Sequence, residues 1–320
     1  MIDISIVICT YDRAESLRET LESILALKMD TTISHEVVVV DNNSKDHTKQ
    51  IVENFQKISR APVRYSFEPR QGVAFARNTG IRDSMGHIIA YLDDDVVIDP
   101  GWLTGLYQCF TQTQADAVGG RIARRWDCDK PDWYSEELGG CLISQELGLE
   151  RKPWTDHRRH MVTANMAFKR SVFERFGTFQ ENLGRRGNSL LGGEDRELYQ
   201  RLVKSQGIVM YEPLALAYHK VEKERLNQPY FRQWFFQIGQ TLGHEMSFKV
   251  TIAPVWVWNN ALKALLRHLS GKFLPGKNPA ERFAGEIWLL YHHGIISERF
   301  AHWLPFGWGN KACAFHISKW

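Results

Sequence analysis

Tyr91-Leu-Asp-Asp-Asp-Val-Val97 is the stretch that decides the fold, because it joins an apolar run to three adjacent carboxylates. The run over residues 88–92 is short and continuous, which favours a buried strand of a parallel sheet covered on both faces. Like charges repel one another, so the triplet indicates a bound cation, and its oxygens suit Mg²⁺ or Mn²⁺ bridging to a phosphate. A solvated acidic turn leading into Asp99-Pro100-Gly101 is the alternative.

Strands and helices alternate through the first 110 residues. Leu17, Leu21 and Ile24 recur at helical spacing, whereas four valines at residues 37–40 form a short apolar run. The pattern predicts strands at residues 4–9, 37–40 and 63–67 and helices at 14–27, 48–58 and 73–83. This order indicates a mostly parallel sheet flanked by helices.

The pattern changes after residue 120. Residues 120–160 are rich in Arg, Trp, Asp and Gly and are predicted to form a long loop region. Regular structure is expected again at residues 163–179, with a helix at 194–205 and an amphipathic helix at 230–249. Beyond Pro254 we expect helices, with breaks at residues 270–279 and 305–309.

The composition is that of a globular chain. Of its 320 residues 43% are hydrophobic, and the net charge of +3 is too close to neutral to argue for nucleic-acid binding. Five scattered cysteines without a C-x-x-C spacing favour a reducing compartment over a disulfide scaffold or zinc site. The lack of a signal peptide and of an apolar run of about 20 residues predicts a cytoplasmic protein.

Four polar segments follow predicted strands or open a predicted helix. They are Cys9-Thr-Tyr-Asp-Arg13, Asp41-Asn-Asn-Ser-Lys-Asp46, Arg70-Gln-Gly-Val-Ala-Phe-Ala-Arg-Asn-Thr-Gly80 and the acidic triplet. Each alone is typical of helix caps and turns. Together they would lie along the carboxyl edge of a parallel sheet, where ligands bind. Their Asp and Arg side chains and a metal-binding carboxylate suit a nucleotide diphosphate.

The chain resembles glycosyltransferases of family 2, which have the GT-A fold. The four segments match the order and spacing of that family, as do Thr163-Ala-Asn-Met-Ala-Phe-Lys-Arg170, Gly192-Gly-Glu-Asp-Arg-Glu-Leu198 and Tyr211-Glu-Pro-Leu-Ala-Leu-Ala-Tyr-His219 followed by Arg225. The similarity covers roughly residues 3–240. It implies an α/β fold of GT-A type, with a Rossmann-like, mostly parallel sheet and a helical C-terminal extension.

The resemblance also implies roles for individual residues. Asp195 would be the catalytic base, and Asp95 with His219 would hold a divalent metal, Mn²⁺ or Mg²⁺. Asp93 would reach the ribose side of the nucleotide, and Asp41 its base. The nucleotide-sugar site as a whole would comprise Thr10, Asp12, Arg13, Asp41, Arg77, Asn78, Asp93, Asp94 and Arg225.

The expected reaction is transfer of a sugar from a nucleotide-diphospho-sugar, expected to be UDP-linked, to a hydroxyl of a glycan or lipid-linked acceptor. A metal ion neutralises the leaving diphosphate, and a carboxylate takes the proton of the attacking hydroxyl. Attack from the opposite face inverts the anomeric centre. A sugar-phosphate nucleotidyltransferase and a catalytically inactive scaffold are the competing interpretations, although the first usually has a Gly-rich loop after strand one.

Several of these residues also have purely structural interpretations. Glu194 and Asp195 would complement the dipole at a helix N-terminus, an effect of about 0.3–1 kcal/mol. His219 has apolar neighbours and could be a hydrogen-bonded core histidine. Arg77 could simply pair with a carboxylate, and Gly192-Gly193 could be a hinge of a mobile loop.

The last hundred residues depart from the family pattern. Residues 221–320 contain 12 Lys and Arg against 6 Glu, and seven of the eleven tryptophans. This mixture is typical of a peripheral contact with an anionic membrane. A helical cap that packs on the catalytic domain, or on a dimer partner, is the alternative. We expect a catalytic domain over residues 1–225, with nucleotide-sugar binding in 1–120 and the acceptor side in 121–225, and a helical extension over 226–320.

Overall fold

The computed structural model describes residues 2–28, 32–155, 160–187, 192–247 and 253–301. The strands are β1 Ile4–Thr10, β2 His35–Asp41, β3 Val63–Phe67, β4 Ile88–Asp93, β5 Val96–Ile98, β6 Ala117–Trp126, β7 Lys152–Pro153, β8 Asn165–Lys169 and β9 Val209–Val221. The helices are α1 Ala14–Leu25, α2 Thr48–Ile58, α3 Val73–Asp83, α4 Trp102–Gln112, α5 Arg170–Phe176, α6 Glu194–Lys204, α7 Gln228–Ser247, α8 Val255–Phe273 and α9 Pro279–Ala301.

Within the described residues the strands form a sheet in the order β3-β2-β1-β4-β8-β6-β9-β5, with β7 beside β9. The first four strands in this order run parallel, as the alternating pattern predicts. Strand β8 then pairs antiparallel with both β4 and β6, and β5 pairs antiparallel with β9. The predicted α/β fold with a largely parallel central sheet and additional C-terminal helices is confirmed.

Alternate residues of β1 reach opposite faces of the sheet. Ile4, Ile6 and Ile8 belong to a core that includes apolar residues of α1, α2 and α4. Val7 belongs to a second core on the other face, formed with residues of α3, α5 and α6. Both faces of the sheet are therefore covered, which leaves its carboxyl edge for ligands.

The loop predicted over residues 120–160 is partly wrong, because β6 continues to Trp126 and Ile122 bridges to Gln145. The predicted helix over 194–205 is confirmed as α6, and the amphipathic helix over 230–249 as α7, as far as the described residues extend. The expected break at 270–279 is observed between α8 and α9. The expected break at 305–309 lies outside the described residues.

The chain divides into two compact units. The first comprises residues 1–125, 143–188 and 193–220, and the second comprises 126–142, 189–192 and 221–320. In the second unit, aromatic residues including Tyr134, Phe231 and Phe283 form a separate core. None of the helices in the described part of the chain is both long and apolar enough to cross a bilayer.

Candidate active site

The carboxyl ends of β1, β2 and β4 bring three of the predicted segments side by side. Thr10 is in register with Asp41, and Cys9 is in register with Asp93. These residues follow buried apolar strands, so the local sequence places the polar groups where the strands leave the core. The predicted convergence at one edge of the sheet is therefore present in the first unit.

Asp94 is bound to the segment that follows β1. The Thr10 hydroxyl donates a hydrogen bond of 2.7 Å to Asp94 Oδ2, and an Arg13 guanidinium nitrogen lies 2.7 Å from Asp94 Oδ1. The same nitrogen lies 3.0 Å from Asp95 Oδ2. Arg13 thus offsets the negative charge of both Asp94 and Asp95. The Asp94 side chain is turned towards the segment after β1 and holds that segment in place.

Asp95 lies next to His219. Asp95 Oδ1 is 3.5 Å from His219 Nε2, and both side chains are almost completely buried. The antiparallel pairing of Val96 with His219 and a 3.1 Å hydrogen bond from the Lys220 amide to the Asp95 carbonyl fix this arrangement. A carboxylate oxygen and an imidazole nitrogen are donors that suit Mn²⁺. No cluster of three or more His, Cys, Asp or Glu that could hold a metal is found among the described residues.

Asp93 is the most exposed carboxylate of the triplet, with 33% of its side chain accessible. The pKa of Asp93 is raised to about 7. The main cause is desolvation of the carboxylate where β4 leaves the core, followed by the negative charge of Asp95, whereas the positive charge of Arg77 acts in the opposite direction. A cation bound beside it would relieve this repulsion. The charge balance of the triplet therefore fits a divalent ion.

Asp41 is buried at the end of β2 and both of its oxygens accept hydrogen bonds. The Tyr65 hydroxyl donates to Oδ2 at 2.7 Å, and the Ser44 amide donates to Oδ1 at 2.8 Å. Burial and this carboxylate raise the pKa of Tyr65 well above its usual value. The orientation of the Asp41 carboxylate is thus fixed before any ligand binds.

Asp12 ties the loops after β1 and β2 together. Its backbone has a positive φ of 50°, its amide donates to Ser44 Oγ at 3.0 Å, and its Oδ1 accepts from the Lys45 amide at 2.6 Å. Asp12 remains exposed. The structure therefore places it at the rim of the edge that carries Asp41 and Thr10.

Arg77 is buried on α3 and pairs with Glu194 at the start of α6. It also donates to the Thr163 hydroxyl and lies 3.9 Å from Asp93 Oδ1. The carboxylate pairing considered for Arg77 is observed, and Arg77 connects Glu194 to the acidic triplet. Among the described residues, Glu194 Oε2 is buried and accepts no hydrogen bond.

Asn78, next to Arg77, contacts protein backbone at both ends of its amide. Its Nδ2 donates to the Phe179 carbonyl at 2.9 Å, and its Oδ1 accepts from the Phe179 amide at 3.0 Å. The Phe179 ring in turn packs edge-on against Tyr91, with 5.5 Å between the ring centroids. Asn78 therefore fixes the segment that covers this part of the sheet.

Asp195 is the second residue of α6, which follows a left-handed Gly193 with φ 105°. Its Oδ1 accepts a hydrogen bond of 2.7 Å from the Arg196 amide and lies 3.8 Å from His160 Nε2. The side chain is 16% exposed. Through its neighbour Glu194 and the bridging Arg77, this end of α6 is connected to Asp93.

Arg225 belongs to the second compact unit, where its Nε lies 3.5 Å from Glu222 Oε2. Its predicted contact with a diphosphate stays a prediction.

Two further residues organise the site and were not predicted. The Asn42 amide nitrogen donates to the carbonyls of Glu68 and Arg70, and its oxygen accepts from the Gly72 amide. Glu68 accepts from the Arg70 guanidinium and, at 2.6 Å, from the Thr79 hydroxyl. The position of Asn42 directly after Asp41 was the signal in the sequence that could have indicated its role.

The family model described as Glycosyl transferase family 2 matches residues 5–177, more than half of the chain. A glucosyl-dolichyl phosphate glucuronosyltransferase of Haloferax volcanii is 28% identical over 69% of this chain and 70% of its own length. The succinoglycan biosynthesis protein ExoM of Rhizobium meliloti is 27% identical over 92% of both chains.

Solved structures agree on the fold. The mannosyltransferase PcManGT from Pyrobaculum calidifontis, in complex with GDP-Man and Mn²⁺, has a TM-score of 0.56 at 19% identity, covering 98% of this chain and 76% of its own. Residues 1–349 of TarS from S. aureus give a TM-score of 0.54 at 14% identity, covering 94% and 91%. With this GT-A fold, its carboxylate-lined edge and the matched family model, the chain belongs to glycosyl transferase family 2 and is a glycosyltransferase.

Proposed function

We propose that the enzyme transfers a sugar from a nucleotide-diphospho-sugar to a hydroxyl acceptor with inversion at the anomeric carbon. The observation that carries this proposal is the convergence of Asp41, Asp93 and Asp95 on one sheet edge, linked by Arg77 to the end of α6 that bears Asp195. These positions provide a nucleoside contact, a diphosphate site and a base.

The donor is proposed to be UDP-linked. Asp41 would accept hydrogen bonds from the base, since its carboxylate is held in place by Tyr65 and Ser44. Thr10, Asp12 and Arg13 line the same edge from β1, and Asp93 would receive the ribose hydroxyls. Arg225 would contact the diphosphate. A nucleotide-diphospho-sugar is supported as the donor class by the relative that was solved with GDP-Man.

The residues present fit a divalent metal. Asp95 and His219 would supply an oxygen and a nitrogen donor, and the nearby Asp93 of the same triplet adds a carboxylate whose negative charge a cation would offset. When bound, Mn²⁺ or Mg²⁺ would neutralise charge on the departing diphosphate as a Lewis acid. Arg13 would continue to hold Asp94 in place.

Asp195 is proposed as the general base. Its carboxylate would accept the acceptor hydroxyl's proton at an Oδ atom as the oxygen attacks from the face opposite the diphosphate. The Arg196 amide, which donates to Oδ1, keeps this carboxylate oriented. Attack on that face produces inversion.

The acceptor is proposed to be a glycan or a lipid-linked saccharide of polysaccharide or glycoconjugate synthesis. Two relatives support this class by their names, a succinoglycan biosynthesis protein and a glucosyl-dolichyl phosphate glucuronosyltransferase.

The test compares Asp195→Asn with Glu197→Gln, a matched change two residues further along the same helix, where the Glu197 side chain pairs with Arg201. With a panel of nucleotide-sugars, Asp195→Asn should lose about 10²–10⁴-fold in kcat, the usual contribution of a general base. It should still bind nucleotide, and Glu197→Gln should retain turnover. Equal turnover by Asp195→Asn would refute the base assignment, and no turnover by wild type would favour an inactive scaffold.

A further inference from the structure

Helix α8 packs through a narrow face of small residues. Val257, Ala264 and Gly271 are buried and recur every seven residues, which places them on one side of the helix. A Cβ at Gly271 would lie 3.2 Å from the Arg282 Cα of α9. The two helices therefore approach closely along this face. The larger apolar side chains of α8 lie on its other sides.

The opposite face of α8 is apolar and exposed. At about 100° per residue, the large apolar side chains on it fall within an arc of roughly 100°, centred opposite the packed face. This stripe comprises Val255 (74% exposed), Trp258 (42%), Leu262 (56%), Leu265 (38%), Leu266 (58%), Leu269 (39%) and Phe273 (71%). A contiguous apolar surface of this kind marks an interaction site.

The charges on α8 are all positive. Its sequence, VWVWNNALKALLRHLSGKF, contains no Asp or Glu. Lys263 and Lys272 lie on the two flanks of the stripe, and neither has an ion-pair partner among the described residues. Arg267 lies further round and pairs with Glu137 at 2.6 Å.

We propose that the stripe of α8 docks on an anionic lipid bilayer, with the helix lying in the plane of the interface. Leucines and an aromatic ring would enter the headgroup boundary while Lys263 and Lys272 contact anionic headgroups. A symmetric contact between the α8 stripes of two copies would instead place four lysines around one interface without an Asp or Glu of either α8 to pair with them, which is unfavourable. Charge complementarity therefore selects the lipid surface.

This surface is distinct from the donor site, and its test does not depend on turnover. The full chain is sedimented with phosphatidylcholine vesicles that either contain or lack phosphatidylserine, at low and high salt. We expect about tenfold stronger binding to the anionic vesicles at low salt, and loss of that preference at high salt.

The stripe is tested with the triple variant Leu262→Gln, Leu266→Gln, Leu269→Gln, which should lower vesicle binding by about tenfold or more. The control is Leu149→Gln with Leu214→Gln, exposed leucines of the first unit, which should bind as wild type does. Because all of these side chains are exposed, the melting temperatures should stay close to that of wild type.

The charged flanks are tested with Lys263→Gln and Lys272→Gln together, which should reduce the preference for phosphatidylserine. Lys49→Gln with Lys57→Gln, on the exposed face of α2, is the matched control.

Either no pelleting of the wild type with anionic vesicles at low salt, or equal pelleting of the triple variant, would overturn the proposal. Light scattering that shows a wild-type dimer and a monomeric triple variant, without vesicle binding, would assign the stripe to contacts between copies.

Discussion

Arg77 shows how much of the site depends on single buried side chains. It is 5% exposed, and its guanidinium pairs with Glu194 and lies 3.9 Å from Asp93. A buried ion pair adds little when complete, but loss of one partner leaves an uncompensated charge. The same arginine thus supports the fold of α3 against α6 and the charge balance of the triplet.

Arg77→Met should lower the free energy of unfolding by about 3–5 kcal/mol, because Glu194 would remain buried without a counter-charge. Urea denaturation measures this. Arg82→Met on the same helix replaces an exposed arginine and should change stability by less than about 0.5 kcal/mol. A loss below about 1 kcal/mol for Arg77→Met would contradict the proposed cost of leaving Glu194 buried without a counter-charge.

The sequence could not predict which side chains would form hydrogen bonds and ion pairs with each residue of the site. The acidic triplet was identified from its charge and position, yet the contacts of its members differ. Asp94 contacts Thr10 and Arg13, whereas Asp95 contacts His219 as well as Arg13. These partners lie far away along the chain, and only the folded sheet brings them together.

At the scale of elements, hydrogen bonds of Asn42 and Glu68 hold the corner between β3 and α3. Glu68 is buried and accepts hydrogen bonds from Arg70 and Thr79. The Arg70 guanidinium, followed by the Thr79 hydroxyl and the Arg70 amide, lowers the pKa of Glu68 to about 2, against the opposing effect of burial.

A lowered pKa stabilises the fold above the unfolded-state value and is lost as the pH falls through the folded one. Wild-type stability should therefore decline between about pH 5 and pH 2 in part through Glu68. Glu68→Gln should be less stable at pH 7 by about 1.5–3 kcal/mol, and the difference should shrink as the pH falls. Urea titrations across this range provide the measurement, and a difference that is independent of pH would contradict it.

The strands β1, β2 and β4 were predictable because their apolar runs are short, continuous and bounded by polar residues. Strand β6 was not, since Gly119-Gly120-Arg121 lacks strand propensity. A Cβ at Gly120 would come within 2.4 Å of the Ala215 carbonyl oxygen, so this close approach requires glycine. Local sequence does not reveal such a contact, because Ala215 belongs to β9, about 95 residues further along the chain.

At the scale of the whole molecule, the order of elements is enough to place the chain in its fold class, and the match over residues 5–177 identifies the family. The structure divides the chain after residue 220, with 126–142 joining the C-terminal unit. Residues 126–142 lie in the chain between two parts of the first unit, yet they belong to the second unit. Composition alone does not reveal such an assignment. The boundary expected at residue 225 stays a prediction.

Ligand binding should stabilise the whole protein. We expect UDP with Mn²⁺ to raise the melting temperature, since a ligand at 100 times its Kd adds about 2.7 kcal/mol, equivalent to roughly 5–10 °C. UDP, GDP, CMP and dTDP are compared, each with and without metal. Asp95→Asn should lose the metal-dependent part of the shift. No shift with any nucleotide in the wild type would contradict the proposed donor site.

Cys9 lies in register with Asp93, and burial, with the nearby acidic groups, raises the pKa of its thiol to about 12 despite the opposing Arg77. The thiolate is the nucleophile that attacks peroxides and alkylating reagents, and a pKa of about 12 keeps Cys9 in the thiol form at neutral pH. The proposed donor site thus contains a cysteine next to Asp93 whose thiol should resist oxidation at neutral pH. A maleimide dye should therefore label Cys9 slowly at neutral pH, although the side chain is partly exposed.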